Sequence, residues 1–580
     1  MNIITEFLKF LSPKEKILYF LLIFGAIINV VLEVFSIGLV IPLIGFILNP
    51  DKMLDKFFQY FPKIENYQIS DIINNSNFLN IFITIFVLIF IIKNIYILFY
   101  FFYQTKFIMH LEGALSKRIL RKIVEQNYDF FIKNHTAALI SKINNDVTIF
   151  CRLLAGNLIL FISELLIIVG FLTTIILFNL TKVFFIFLFF FVFGIFLIRI
   201  ISKLSKKWGK DRKIADIEKL NSLTTIISNI RNIILDNKYE TLVNKFSDTT
   251  NKLASVHKKL AFTSIIPKLT FETIGIISIS LVIYYLISND YSKEHIITTT
   301  GFFIAVAYRI IPCMQKIITS YQNISYAKVS AKELFETLSL SKKVHYSDEI
   351  INFKKNVILS DVSFSHNERS KLIFDNANLT IEKGKIAGVY GESGAGKSTL
   401  VDIISCLRSI NKGKVFIDNI EMNNPEIIRK WQNEISYVSQ NTVLFKDTLR
   451  NNIIFSSNKD QINHELLDKT IIEAQLDSFI DTLPNKLDTD VGELGVKLSG
   501  GQRQRIGIAR ALYKQPNFLI FDEATNALDS RSENLIMETI FNLKLETTIL
   551  IISHKKSLIE RCDKIYKIKD GKIFEKKKSI

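Results

Sequence analysis

A glycine-rich stretch with the sequence GESGAGKST, residues 391–399, constrains the fold of this 580-residue chain more than any other feature. It follows the apolar run 386–390 and precedes the apolar run 400–404, which is the order strand, loop and helix. Glycines let the backbone turn so that N–H groups point at phosphate oxygens, and the following helix adds its positive N-terminal end. The pattern G-x4-G-K-[ST] uses its lysine for the β- and γ-phosphates and its hydroxyl for Mg²⁺.

The stretch therefore predicts a C-terminal α/β domain that binds a nucleotide and Mg²⁺, and the alternative is a glycine-rich turn without a ligand. The candidate phosphate-binding residues are Gly391, Glu392, Ser393, Gly394, Ala395, Gly396, Lys397, Ser398 and Thr399.

Apolar residues crowd into the first 325 positions, where six runs are long enough to cross a bilayer. The runs cover residues 17–48, 79–107, 154–180, 183–201, 264–288 and 295–321. Hydrophobic residues form 49% of the chain and the mean hydropathy is +0.27, which is high for a soluble protein. The net charge of +17 would suit a nucleic-acid-binding protein, but basic loops beside a membrane give the same value. We expect an all-α transmembrane domain of six helices and no nucleic-acid partner.

Lysine and arginine are unevenly distributed over the loops between these runs. The two long loops, residues 106–152 and 203–259, carry eight and thirteen of them, and the three opposite loops carry three, one and one. The positive-inside rule then places both long loops and both termini on the cytoplasmic side of the cytoplasmic membrane. Because the long loops are poor in Gly and Pro, we expect helices that extend beyond the membrane, either as stalks or as solvated hairpins.

Three smaller features concern the membrane surface, targeting and redox state. Residues 51–64 have apolar side chains at helical spacing, which predicts a helix on the outer membrane surface or packed against the spans. The first apolar run is too long for a signal-peptide h-region, so no cleavable signal is expected. No disulfide framework or zinc site is predicted, because the four cysteines contain no C-x-x-C pair: Cys151, Cys313, Cys406 and Cys562.

Two further motifs carry chemistry in the last third of the chain. The sequence LSGGQ, residues 498–502, leads into a helical segment, and a serine with two glycines at a helix start can bind a γ-phosphate. Four apolar residues, 518–521, then precede Asp522 and Glu523, as expected of a buried strand that carries two carboxylates at its carboxyl end. We expect Asp522 to help hold Mg²⁺ and Glu523 to polarise the water that attacks the γ-phosphate.

These motifs resemble those of the ATP-binding cassette (ABC) transporters, since LSGGQ is similar to that family's signature sequence. The resemblance covers the whole chain, because six spans followed by one cassette is the layout of ABC exporters. It implies that Gln440 senses Mg²⁺ and water, that His554 contacts the γ-phosphate and that Asp529 lies in a loop facing a second cassette. The full ATP-binding set implied is His366, residues 391–399, Gln440, Ser499, Gly500, Gly501, Gln502, Asp529 and His554. The catalytic set is Glu523, His554 and Gln440, and the Mg²⁺ set is Ser398, Gln440 and Asp522.

In this family each ATP lies between the phosphate-binding loop of one cassette and the signature of another. One chain carries one of each, so the resemblance implies a homodimer with two equal sites. Two positions depart from the family pattern. His366 stands where a tyrosine usually stacks on adenine, with less stacking area, and Asn526 replaces a serine.

Three cations within the apolar runs suggest what is transported. Lys93 and Arg309 each lie 14 residues from the outer end of a run, which is about 21 Å deep at 1.5 Å per residue, and Lys268 lies near an inner end. Each costs about 2.5–3.5 kcal/mol inside a membrane, and three cations facing a cavity would suit a phosphate or pyrophosphate group. The alternative is that they lock helices together by pairing with Glu33, Glu164 and Glu272.

Residues 266–268, 307–312 and 317–321 are similar to the PglK-like lipid-linked oligosaccharide flippases of bacterial N-glycosylation, in which cavity arginines are credited with binding pyrophosphate. Lysine at positions 93 and 268 keeps the charge but loses the bidentate fork of arginine, which Arg309 retains. This resemblance implies an ATP-driven flippase for a polyprenyl-pyrophosphate-linked glycan, with membrane lipid as a partner. Two alternatives are an exporter of drugs, lipids or peptides and an ATP-gated channel or regulatory receptor. The expected domains are a transmembrane domain at 1–325, a linker at 326–350 and a cassette at 351–580.

Overall fold

The structure is a computed structural model that forms two compact units. It describes residues 7–9, 11–39, 77–177, 181–342, 349–366, 371–455, 462–543 and 546–576. The first unit comprises Met1–Val124 and Asn134–Ser341, and the second comprises Glu125–Lys133 and Lys342–Ile580. The surface helix predicted at 51–64 and the end of the first apolar run lie outside the described residues.

The first unit is helical throughout its described part. Among the described residues up to 338, the α-helices of six residues or more are α1 (Pro13–Gly38), α2 (Asn77–Val124), α3 (Tyr128–Lys133), α4 (Thr136–Ser141), α5 (Gly156–Leu177), α6 (Thr181–Ser228), α7 (Ile230–Leu235), α8 (Tyr239–Ser288) and α9 (Lys293–Leu338). Only α3 belongs to the second unit. Wider π-helical turns at Lys142–Asp146 and Phe150–Ala155 join α4 to α5.

Six of these helices are long, counting only what the structure describes of the first unit: α1, α2, α5, α6, α8 and α9. Helices α2 and α6 have 48 residues each and α8 has 50, more than twice the roughly 20 residues that cross a bilayer. The long basic loops of the sequence are therefore largely continuations of the apolar helices. Helix α9 extends to Leu338, so the first part of the segment expected to be a linker is helical.

Length and composition mark four segments within the described residues as able to cross a membrane. They are Pro13–Ser36, Phe82–Val124, Thr136–Gly170 and Tyr239–Ser288. Their large apolar side chains are widely exposed, including Phe24, Leu98 and Phe101 at 60–67%. Such apolar surface suits contact with lipid. Other faces pack against neighbouring helices, as where Phe271 of α8 stacks on Phe190 of α6 at 5.6 Å.

The second unit is an α/β domain with two sheets. Its strands are β1 (Asn356–Phe364), β2 (Phe374–Glu382), β3 (Ile386–Gly391), β4 (Lys412–Ile417), β5 (Ile420–Glu421), β6 (Ile435–Val438), β7 (Phe518–Asp522), β8 (Thr548–Ile552), β9 (Lys564–Lys569) and β10 (Lys572–Lys576). Its later helices are α10 (Lys397–Ile404), α11 (Pro425–Glu434), α12 (Leu449–Ile454), α13 (His464–Glu473), α14 (Asp477–Asp481), α15 (Gly500–Tyr513), α16 (Ser530–Asn542) and α17 (Lys556–Ile559).

The larger sheet has the order β10-β9-β3-β8-β7-β6, and every neighbouring pair except β10 and β9 is parallel. A largely parallel sheet is typical of the α/β domain that the sequence predicts. The order places β3, β8 and β7 side by side, so the residues after them lie at one sheet edge. A second, antiparallel sheet of order β2-β1-β4-β5 was not predicted.

A buried core joins the two sheets and fixes the helix after the glycine-rich loop. Trp431 of α11 packs edge-on against Phe518 of β7 at 5.3 Å, and its indole N–H donates to the carbonyl of Ile404 at 2.8 Å. The carboxyl end of α10 is therefore held to the same core that buries β7. The expected division into an all-α first unit and an α/β second unit with a largely parallel sheet is confirmed.

Candidate nucleotide site

The glycine-rich loop connects β3 to α10 as the sequence predicts. Gly394 and Gly396 have φ angles of +80° and +104°, a left-handed conformation that favours glycine. A Cβ atom on Gly396 would lie 2.7 Å from Cγ2 of Ile373, so a side chain would also collide there. Gly396 is the N-cap of α10, which starts at Lys397. The loop thus ends at a helix N-terminus, where backbone N–H groups suit phosphate oxygens.

Lys397 is buried and its ammonium group stays close to the loop. Its Nζ donates to the carbonyls of Gly391 at 3.0 Å and Glu392 at 3.2 Å, and it lies 3.0 Å from Nε2 of His554. These contacts place the lysine charge between the loop and the end of β8. Ser398, the candidate Mg²⁺ ligand, follows directly in the first turn of α10 and is exposed.

Asp522 ends β7 and is nearly buried at 7% exposure. The pKa of its carboxyl group is raised, mainly because the group is buried and also because the Glu523 carboxylate is close. The hydroxyl of Tyr437 donates to Oδ2 at 3.1 Å and partly offsets this rise. A bound Mg²⁺ would favour the ionised form.

The predicted Mg²⁺ set consists of hydroxyl, amide and carboxylate oxygens, the donor class that Mg²⁺ prefers. Within the described residues, no group of three or more His, Cys, Asp or Glu side chains could hold a metal ion. A Mg²⁺ ion at Ser398, Gln440 and Asp522 would therefore depend on phosphate oxygens and water for its remaining ligands.

Glu523 is the centre of the hydrogen-bonded part of the site. Its backbone has a φ of +48°, and its N–H donates to the carbonyl of Ile552 at 2.9 Å, which fixes the residue between β7 and β8. Oε2 accepts from the side-chain amides of Gln440 at 2.9 Å and Asn526 at 3.1 Å. Oε1 lies 2.9 Å from Nε2 of His554.

The same nitrogen of His554 therefore faces both a lysine and a carboxylate. Lys397 can only donate a hydrogen bond and the ionised Glu523 can only accept one. If Nε2 carries a proton it bonds to Glu523, and if it does not it accepts from Lys397. Both bonds cannot form together, so His554 bonds to only one of these two partners at a time.

The signature residues lie at the start of α15 and bind each other. Ser499 is the N-cap, its Oγ accepts from the N–H of Gln502 at 3.2 Å, and the Gln502 side chain accepts from the N–H of Ser499 at 2.8 Å. Gly500 and Gly501 lie against Ala527 of the loop that follows Glu523. Asp529, in the same loop, caps α16 by accepting from the N–H of Ser532 at 3.0 Å, and this hydrogen bond lowers the pKa of its carboxyl group.

His366 is exposed at the end of β1, and its ring is tied to Arg408. Its Nδ1 lies 2.6 Å from Nη1 of Arg408, whose Nε donates to Oδ1 of Asp129 at 3.1 Å. The sequence motifs do not reveal three contacts of site residues, which are made by Arg408, Tyr437 and Asn526. Only Asn526 carried a signal, because it departs from the family pattern.

In the first unit, two of the three candidate cargo-binding cations meet on one carboxylate. Oε1 of Glu33, which is 5% exposed, lies 3.7 Å from Nζ of Lys93 and 3.0 Å from Nε of Arg309. Lys268 instead lies 3.9 Å from Glu272, one turn along α8, and both side chains are about half exposed. Glu164 pairs at 2.8 Å with Lys316, a cation that was not among the three.

Family models match both regions of the chain. Residues 374–526 match the model of the ABC transporter cassette, and residues 19–309 match that of the ABC transporter transmembrane region. The chain is 30% identical to an ATP-dependent lipid A-core flippase of Blochmanniella pennsylvanica over 81% of its own length and 80% of the relative's. It is 29% identical to a flippase of the same description from Desulfotalea psychrophila, over 79% and 80% of the two chains.

A solved structure extends the likeness over nearly the whole fold. A bacterial Atm1-family ABC exporter with ATP bound aligns with 95% of this chain and 94% of its own, with a TM-score of 0.75 and 19% identity. At that identity the likeness shows the fold alone. The matches to both family models and the 30% identical relative show that the chain belongs to the ABC transporter family. It is of the exporter type that joins one membrane region to one cassette.

Proposed function

We propose that this protein hydrolyses ATP as a homodimer and thereby flips a lipid-linked oligosaccharide, a polyprenyl-pyrophosphate glycan, across the cytoplasmic membrane. Both termini lie on the cytoplasmic side in this proposal. The single observation that carries the cargo assignment is that Lys93 and Arg309 share one carboxylate, that of Glu33, because two cations on one carboxylate leave an excess positive charge between helices of the membrane region.

In the proposed hydrolysis of ATP, each side chain of the candidate site has its own role. Mg²⁺ supplies positive charge that neutralises phosphate oxygens when ATP is bound. The backbone of residues 391–399 and Lys397 bind the phosphates, and Ser499 to Gln502 of a second copy close the site from the other side. Glu523 takes up a proton from the attacking water, while Gln440 and Asn526 hold its Oε2 in place. His554 contacts the γ-phosphate by giving up its link to Lys397 or Glu523.

The cargo part follows from a charge balance. One carboxylate faces two cations, so the group of Glu33, Lys93 and Arg309 keeps one net positive charge. A diphosphate offers several negative oxygens and can compete with Glu33 for both cations. Lys268 lies apart from this group, and its exposed side chain suits a second contact with the head group near the end of the apolar run.

Reconstitution in liposomes tests this proposal. We compare transport of a polyprenyl-pyrophosphate glycan with that of the same glycan on an uncharged lipid, using wild type, Lys93→Ala and Arg309→Ala. Lys316→Ala is the matched control, because it also breaks a lysine–glutamate pair of the membrane region. We expect the first two variants to lose transport of the charged lipid by tenfold or more while the control retains it. Equal transport of both lipids by every variant would contradict the cargo assignment.

A second candidate is an exporter of other lipids, drugs or peptides in which the cations are structural. Two observations favour it: Glu33 pairs with both cations in the described structure, and the relatives at about 30% identity are described as lipid A-core flippases. Stimulation of ATPase activity by lipid A and not by the polyprenyl-pyrophosphate glycan would select this candidate.

A further inference from the structure

The guanidinium group of Arg408 is buried and contacts an imidazole, a carboxylate and an aromatic ring. Its side chain is 7% exposed. Nη1 lies 2.6 Å from Nδ1 of His366, Nε donates to Oδ1 of Asp129 at 3.1 Å, and the guanidinium carbon lies 4.9 Å from the ring centre of Phe364. One planar group therefore binds an imidazole on one edge and a carboxylate on another, while an aromatic ring packs against it.

This arrangement determines the tautomer of His366. Arginine has donors only, so Nδ1 of His366 must be the acceptor, and the ring proton of the neutral imidazole lies on Nε2. The ring also lies edge-on to Phe364, with centroids 5.7 Å apart. Arg408 and Phe364 together fix the orientation of an otherwise exposed side chain.

The Nε group of Arg408 donates to Asp129, which belongs to a short segment that connects two helices of the membrane region. Asp129 lies in α3, between α2 and α4 of the membrane region in sequence, yet residues Glu125–Lys133 pack as part of the second unit. The carboxylate that holds Arg408 thus belongs to the connection between two membrane-region helices.

We propose that Arg408 is a positioning residue for the nucleotide base, which holds the imidazole of His366 and is itself held by Asp129 of α3. Occupation of the base site and the packing of α3 on the cassette then depend on one guanidinium group, and each strengthens the other. The inference rests on the proposed stacking of His366 on the base and is independent of the cargo.

The link predicts an energetic coupling between His366 and Asp129, whose side chains are joined through Arg408. We would measure binding calorimetrically with full-length Glu523→Gln protein, titrating MgATP or magnesium tripolyphosphate, which lacks the base. His366→Ala is expected to weaken MgATP binding by about tenfold and Asp129→Ala by about threefold, and neither should change tripolyphosphate binding.

The double variant is decisive. If Arg408 carries the effect of Asp129 to His366, His366→Ala with Asp129→Ala binds MgATP as weakly as His366→Ala alone, about tenfold below the parent. A product of the two effects, about thirtyfold, would overturn the link. No effect of His366→Ala would overturn the stacking role itself, and weaker tripolyphosphate binding by Asp129→Ala would assign that residue to general stability.

Two further variants guard against misfolding and unspecific loss of charge. Arg408→Lys keeps the charge but cannot bind both partners, so it should weaken MgATP binding by about threefold to tenfold with the thermal midpoint retained. Asp488→Ala removes an arginine–carboxylate pair elsewhere in the cassette, with Arg450 at 2.9 Å, and should leave MgATP binding unchanged. Wild-type affinity in Arg408→Lys would contradict the proposal.

Discussion

Glu523 in the cassette and Glu33 in the membrane region are each surrounded by several partners, but the two regions differ in how such a group is encoded. The partners of Glu523 come from the ends of neighbouring strands and their loops, so parallel pairing of β6, β7 and β8 brings them together. The partners of Glu33 come from helices far apart in sequence, with no motif to mark them. A site at the ends of parallel strands can therefore be predicted from sequence. For a site between packed helices, the sequence gives only how deep a charged residue lies in the membrane, and not its partner.

The largest expected effect separates the two regions most sharply. Glu523→Gln keeps the shape and the partners of Oε2 but removes the general base, so we expect phosphate release to fall by about 10²–10³-fold with MgATP binding retained. Phosphate release in detergent and equilibrium binding are the measurements. Glu382→Gln, at an exposed pair with Lys564, is the control and should hydrolyse normally. Turnover by Glu523→Gln close to wild type would remove Glu523 from its proposed role.

The next prediction concerns Glu33, whose replacement leaves the buried Lys93 and the partly buried Arg309 without their counter-charge. We expect Glu33→Gln to lose about 3 kcal/mol of stability, seen as a lower thermal midpoint in detergent. Glu272→Gln breaks an exposed pair within one helix and should cost less than about 1 kcal/mol. An equally small loss of stability in both variants would contradict this prediction. It would show that water solvates Lys93 and Arg309, as in an open cavity.

Most of the candidate nucleotide site can be predicted from sequence because its motifs determine backbone geometry. The order of apolar run, glycines and Lys397 predicts β3, the loop and α10, and the structure confirms each. The four apolar residues before Asp522 predict a buried strand, and β7 is buried along its whole length. Arg408 and Tyr437 were missed because their partners are set by the packing of separate elements, which no local pattern records.

The membrane region is less predictable at the level of side chains. The sequence makes Lys93, Lys268 and Arg309 equal candidates for cargo binding. Only packing shows that Lys93 and Arg309 share Glu33, while Lys268 has a partner on its own helix. A run of apolar residues fixes that a helix crosses a membrane but not which face meets a neighbour. The same limit explains why Lys316 was not foreseen as the partner of Glu164.

A smaller effect is expected at Asn526, where the chain departs from its family. Its amide donates to Oε2 of Glu523, so Asn526→Ala frees one side of the carboxylate and should lower kcat by about threefold with KM for ATP unchanged. Asn526→Ser, which restores the family residue, should fall between the two because its hydroxyl is also a donor. A change in KM alone would place Asn526 in nucleotide binding instead. Steady-state ATPase kinetics separate these outcomes.

The smallest effect tests whether burial in the cassette carries a cost of its own. Burial raises the pKa of the Asp402 carboxyl group to about 6 from an ordinary value of 3.8. The folded state therefore favours the protonated form, and this contribution to stability is present below about pH 4 and is lost as the pH rises through about 6. Asp402→Asn cannot ionise, so its thermal midpoint should exceed that of the wild type by on the order of 2 °C at pH 7.5, with a smaller difference at pH 5. Asp481→Asn, at an exposed pair with Lys486, should show no such pH dependence. A constant offset at both pH values would attribute the change to packing, and the ionised Asp402 would then be as well accommodated within α10 as Glu33 is beside its two cations.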